Sequence, residues 1–227
     1  MLAARDSQQP EAQAALARLC QTYWYPLYCC VRRHGRSPED AQDLTQGFFA
    51  KVLRGNFFAG AQSSDGRMRT YLLTAFTRHM ADEWDRVQAK KRGGGLEILS
   101  LDFEEGERRF LEEPASEDSI ERTFDRAWAR SVLMQAGTQL ENECAASGKG
   151  DLFTALSPLI TGDGASAYET IAQKTGMSVE ALRQSVRRLR LRFRDMLRDV
   201  IADTLENPTD SQIDAELQAL RQVISEV

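Results

Sequence analysis

The chain has 227 residues, 42% hydrophobic and 28% charged, with a formal net charge of -5. That length suits one large or two small domains. The acidic balance excludes a general affinity for polyanions, and no apolar run approaches the roughly 20 residues that span a bilayer. The start, Met1-Leu2-Ala3-Ala4-Arg5, lacks the charged-then-apolar layout of an export signal, so a cytoplasmic protein without a membrane partner is expected. Cys20, Cys29, Cys30 and Cys144 form no CxxC pair. Buried reduced thiols are the expectation, and Cys30 and His34, although at i, i+4, lack a second pair of ligands, so no metal is expected.

Apolar residues recur at helical spacing nearly throughout, and alternating strand patterns are absent, which predicts an all-α protein. A first helix covers about residues 10–33, with Ala15, Leu16, Leu19, Tyr23, Leu27 and Tyr28 on its apolar side. Pro26 is expected to kink or split it. Ser37-Pro38-Glu39-Asp40 starts a second helix, with Ser at N-cap, Pro at N1 and acids in the first turn. It runs to about Leu53, with Ala41, Leu44, Phe48 and Val52 inward and Asp40, Asp43, Gln46 and Lys51 more exposed. After a polar loop at 60–66, a third helix covers about 67–91 and stops at Gly93-Gly94-Gly95. It mixes cations with rings (Arg69, Tyr71, Phe76, Arg78, His79, Trp84, Arg86, Lys90, Lys91 and Arg92), a composition suited to single-stranded DNA. Most of those rings, taken singly, are better explained as core residues.

Residues 96–118 are acidic, contain Pro114 and hold few large apolar side chains, which predicts an extended or mobile linker. Beyond it, a long amphipathic helix runs from about Ser119 to Ser147, and a shorter one carries Leu152, Phe153, Leu156 and Leu159. Ser166 and Glu169 form a capping box for a helix over 168–174. Then come a Thr175-Gly176 turn and Ser178 as cap of a helix reaching about Thr204. Between Arg183 and Arg198 that helix carries seven arginines against a single Asp195. Two helices joined by a Gly turn, the second cationic, outline a helix-turn-helix. Arginine forks match phosphates and guanine edges, and the first turns of this helix, Ser178 to Arg188, would meet bases if it is a recognition helix. Asn207-Pro208 ends the helix, and 210–227 reads as an amphipathic appendage with Ile213, Leu217 and Leu220 at helical spacing.

No Ser/His/Asp arrangement, nucleotide motif or phosphate loop appears, so no catalytic residue, cofactor or enzymatic activity is expected. The Asp40/Asp43/Gln46 edge fits a protein-docking surface better than acid–base chemistry.

With these residues in view, the chain resembles the extracytoplasmic-function (ECF) sigma factors, the two-domain specificity subunits of bacterial RNA polymerase. The likeness spans about residues 15–205. Tyr25-Pro26-Leu27-Tyr28 and Glu39-Asp40-Ala41-Gln42-Asp43-Leu44-Thr45-Gln46-Gly47-Phe48-Phe49 are similar to region 2. Arg69-Thr70-Tyr71-Leu72-Leu73 and Glu83-Trp84-Asp85-Arg86 are similar to its promoter-reading end. Residues 168–194 are similar to region 4, with Arg187-Arg188-Leu189-Arg190 where the family often has His-Arg-Leu-Arg. The resemblance implies four segments: 1–95 as region 2, 96–118 as linker, 119–205 as region 4 and 206–227 as an extension. It implies binding of core polymerase, at the β′ coiled coil and β flap, with Asp40, Asp43, Leu44 and Gln46 on the coiled coil. It implies -10 element contacts by Arg69, Tyr71, Arg78, Asp82, Arg86, Lys90, Lys91 and Arg92. The -35 element would fall to Ser178, Arg183, Gln184, Arg187, Arg188 and Arg190, and the linker would thread a channel that otherwise takes RNA.

Gln42 stands where the family commonly has an acid, so phosphorylation of Thr45 by a Ser/Thr kinase is one way to restore charge to the docking helix. The extension is expected to pack on region 4 or to clamp region 2 in place of a separate anti-sigma factor. The rival expectation is an autonomous dimeric helix-turn-helix regulator, with 210–227 supplying the dimer contact.

Overall fold

The computed structural model describes residues 10–54, 68–87, 101–113, 118–162, 167–205 and 208–225, and every regular element among them is helical. The elements are α1 (Pro10–Arg33), α2 (Pro38–Arg54), α3 (Met68–Val87), α4 (Phe103–Glu112) and α5 (Ile120–Ala146). They continue with α6 (Gly150–Leu156), α7 (Pro158–Thr161), α8 (Ala167–Thr175), α9 (Val179–Ala202) and α10 (Asp210–Ser225). No helix among the described residues is long and apolar enough to cross a membrane.

The chain divides into two compact units, one of Met1–Ser131 with Ile201–Val227 and one of Val132–Val200. This differs from the boundaries expected at 95, 118 and 205. The first turns of α5 and the whole of α10 belong with α1–α4, because their apolar faces are spent there.

In the larger unit α1 is central and packs against α2, α3 and α4. Its buried residues include Leu19, Tyr23, Leu27, Tyr28 and Val31. Tyr23 stacks on Phe124 of α5 with ring centres 6.1 Å apart. Pro26 lies inside α1 without splitting it. A proline removes its own N–H bond and crowds the carbonyl four residues back, and the buried neighbours on both sides, Tyr25 and Leu27, offset that cost by holding the helix in the core. Cys20, Cys29, Cys30 and Cys144 are all buried free thiols, as expected, and burial pushes Cys20 up to about 12.

Within 101–113, the described stretch of the acidic segment, the chain is helical rather than extended. Asp102 caps α4 by accepting from the Glu105 amide at 2.9 Å, and α4 docks along α1. Tyr28 and Arg32 both bond to the Glu107 carboxylate, at 2.6 Å for the hydroxyl and 2.8 Å for each of two guanidinium nitrogens. Glu113 accepts from Tyr25 at 2.7 Å and pairs with Arg130 at 2.6 Å. Burial pushes the Glu107 carboxyl up, but the Arg32 and Tyr28 bonds outweigh it and hold it below the usual range. Gly106 makes this docking possible: a Cβ there would lie 2.7 Å from the Trp24 ring. The acids of this stretch thus neutralise the basic end of α1, a pairing that composition alone does not reveal.

The smaller unit is built around Leu156, Leu159, Leu182 and Val186, with Tyr168, Ile171, Ala172 and Met177 packed on them. The short helix expected over 152–159 is two helices, α6 and α7, separated at Ser157-Pro158. The proposed Ser166 cap lies outside the described residues.

Candidate nucleic-acid interface

The cationic helix is presented by local chemistry that the sequence encodes. The Gly176 amide bonds to Ala172 O at 2.9 Å, and Gly176 has φ 69°, a left-handed conformation that glycine takes without Cβ strain. Ser178 then caps α9, its hydroxyl accepting from the Ala181 amide at 3.2 Å and its carbonyl from the Leu182 amide at 3.0 Å. Leu182 and Val186 enter the core, which fixes the rotation of α9 and turns Arg183, Gln184, Arg187 and Arg188 to solvent. At 3.6 residues per turn these four occupy an arc of about 140°. The Arg183 guanidinium lies 5.8 Å from the Tyr168 ring centre, and Arg188 donates to the Ser185 hydroxyl at 3.3 Å. Ser178, placed in the cap, serves by orienting this face.

Arg190 has a different employment. It donates to three backbone carbonyls, Leu159 at 2.9 Å, Gly162 at 3.0 Å and Ile160 at 3.2 Å, and so closes the C-terminal end of α7. In this arrangement those three bonds give Arg190 a structural task that Arg183 and Arg187 do not share. Arg192 is held by Glu143 of α5, with Nη2 to Oε2 at 2.6 Å, and the same bond lowers the Glu143 carboxyl and raises the guanidinium. Leu191 (55% exposed) and the exposed Arg194 continue this face along the helix, and the sequence reading did not single out Leu191. The signal was available: Leu191 is four residues after Arg187 and on the polar side of the helical period.

In the larger unit, Asp40 and Asp43 are exposed on α2, with Leu44 and Gln46 half-buried beside them. Thr45 faces the other way. It is 0% exposed and its hydroxyl has no hydrogen-bond partner, so it does not stand on the docking surface. Phosphorylation there would require the side chain to leave the core.

The residues expected on the -10 element separate into two sets. Tyr71, Arg78 and Asp82 lie at i, i+7 and i+11, one stripe of α3, with Arg78 and Asp82 exposed and Tyr71 half-buried. Arg69 lies about 160° around the helix from Tyr71 and is 5% exposed. Its Nη1 donates to Asp125 at 2.8 Å, its Nε lies 3.2 Å from Glu216 Oε2, and its guanidinium carbon is 4.6 Å from the Trp128 ring centre. Arg69 is therefore not available to DNA in this arrangement, because three side chains from α5 and α10 enclose it. The side chain of Arg86, together with Lys90, Lys91 and Arg92, lies outside the described residues.

His79, two turns beyond Leu72 on α3, is buried against Phe48 and Phe76. Lys51 Nζ lies 2.7 Å from its Nδ1 and 3.5 Å from Glu83. Burial, and then the Lys51 charge, lower its pKa, so the neutral ring accepts from the ammonium.

The arrangement can hold an anionic polymer on α9 and a cationic or polar protein surface on α2. Compared with protein-family models, curated proteins and solved structures, the chain has no match.

Proposed function

We propose that the chain is an RNA polymerase specificity subunit of the ECF sigma type, acting in the cytoplasm as a binding protein rather than a catalyst. The observation that carries this reading is the exposed face of Arg183, Gln184, Arg187 and Arg188 on a Ser-capped helix behind a glycine turn. Such a helix suits the major groove of a -35 element, where guanine O6 and N7 take a guanidinium fork. The exposed Asp40 and Asp43 on α2 suit the β′ coiled coil of core polymerase, and the Tyr71/Arg78/Asp82 stripe suits a -10 element. In this reading the acidic segment must leave α1 before it can thread the RNA channel, since α4 is bonded to Tyr25, Tyr28 and Arg32.

The rival dimeric regulator needs an available apolar face on α10. Ile213, Leu217 and Leu220 are buried within the chain, which counts against it. The test is co-elution with bacterial core RNA polymerase on size exclusion, followed by run-off transcription from genomic fragments. Co-elution with promoter-specific transcripts is the expected result. Failure to bind core, with the protein alone shifting duplex DNA as a dimer, would overturn the reading in favour of the regulator.

A further inference from the structure

The enclosure of Arg69 points to a device in the C-terminal helix. Arg69 of α3 and Glu216 of α10 are each 5% exposed, with Nε and Oε2 3.2 Å apart. A buried ion pair recovers little of what both charges lose in leaving water, and a pair of apolar residues in its place would often seat α10 as firmly or more so. Glu216 instead sits in the middle of the apolar face, among Ile213, Leu217 and Leu220. Those few side chains hold a helix of 16 residues, one short enough that its order depends on docking. Beside the pair, a cleft of about 300 Å³ runs between α5 and α10, lined by Arg69, Arg122, Asp125, Ala219, Gln222 and Val223. The seal over Arg69 is thus incomplete on one side. Chemically, a carboxylate on a guanidinium occupies the place a phosphate oxygen would take.

We propose that α10 is an autoinhibitory cover, in which Glu216 stands in for a nucleic-acid phosphate on Arg69 and α10 must lift before the α3–α5 face can hold single-stranded DNA. The proposal rests on the reading of α3 as a DNA-facing helix. Lifting α10 removes one carboxylate from Arg69 and leaves Asp125 and Trp128 to orient the guanidinium. The acids of α10, Asp210, Asp214 and Glu216 against Arg221, add repulsion toward DNA while the helix is seated.

The test uses the full chain, a fluorescein-labelled 12-nucleotide single strand and fluorescence anisotropy. Glu216→Gln should tighten binding about tenfold, the gain expected if a seated α10 leaves only a tenth of molecules competent. Leu220→Ala loosens α10 without leaving a buried charge unpaired, and should change binding in the same direction. In the wild type, amide hydrogen exchange over 210–225 should quicken when the strand is added. Unchanged binding by both variants, with α10 exchange unaltered by DNA, would make the helix a permanent part of the core and end the proposal. Core co-elution separates this from the broader reading: wild type that binds core while both variants match it on the single strand removes the cover alone. Tighter single-strand binding by the variants in a protein that ignores core would keep the cover and remove the sigma assignment.

Discussion

Two groups of arginines in this chain have opposite fates. Arg32, Arg69 and Arg130 of the larger unit are closed onto Glu107, Asp125, Glu216 and Glu113. Arg183 and Arg187 of α9 are exposed, and the acid in the first turn of their own helix is Glu180. The comparison teaches that cation count does not measure availability for DNA. What decides is whether a neighbouring element brings a carboxylate or a carbonyl to the same place, as Arg190 on the end of α7 shows within the very same helix.

The sharpest way to break the comparison is to truncate one member of each group. Arg69→Ala takes the arginine from Glu216, and, because α10 can lift for about the 1.4 kcal/mol of a tenfold population ratio, a loss of about 1–2 kcal/mol in folding stability is expected by urea denaturation. Arg187→Ala should leave stability within about 0.5 kcal/mol, as exposed substitutions do. Equal losses from the two would erase the distinction.

Gly106→Ala asks whether α4 is truly docked. The added methyl meets the Trp24 ring, and overpacking of this kind costs about 1–3 kcal/mol. Faster amide exchange over 103–112 should accompany it. A protein as stable as wild type with α4 still protected would mean that the ring moves aside freely.

Within α9 the contrast is between DNA and fold. Arg187→Ala should weaken duplex binding by about 1–3 kcal/mol and relax base preference at one -35 position, provided the fork is bidentate to guanine. Arg190→Ala should lower the melting temperature and leave base preference alone. A loss of DNA affinity that is uniform across sequences for Arg187→Ala would identify a phosphate contact instead.

The smallest effect concerns pH. His79 is neutral when folded, its pKa lowered by burial and Lys51, so the unfolded chain takes up a proton more readily. Its contribution to stability is therefore complete above the unfolded value of 6.5 and declines as pH falls below it. His79→Gln should flatten that part of the stability–pH curve between about pH 5 and 7, as read by thermal melts. An unaltered curve would place the dependence on other groups.

Much of the fold was legible in the chain. Ser37-Pro38 and Ser178 start helices because their hydroxyls reach amides three residues on, and both caps are local. Gly176 turns the chain because no side chain hinders its positive φ, and the 3.6-residue period placed Leu182 and Val186 inward and Arg183 and Arg187 outward. These features depend on neighbours within a turn or two, so the sequence by itself determined them. The docking of α4, the enclosure of Arg69, the inward Thr45 and the seat of α10 depend on partners 50 to 150 residues away. Arg69 looked like a DNA contact because its composition and company were basic. Only the tertiary structure brought Asp125 and Glu216 to it. The physical reason is range: caps and helical periodicity are fixed by short-range bonding and sterics, whereas a charge takes whichever counter-charge the packed chain delivers.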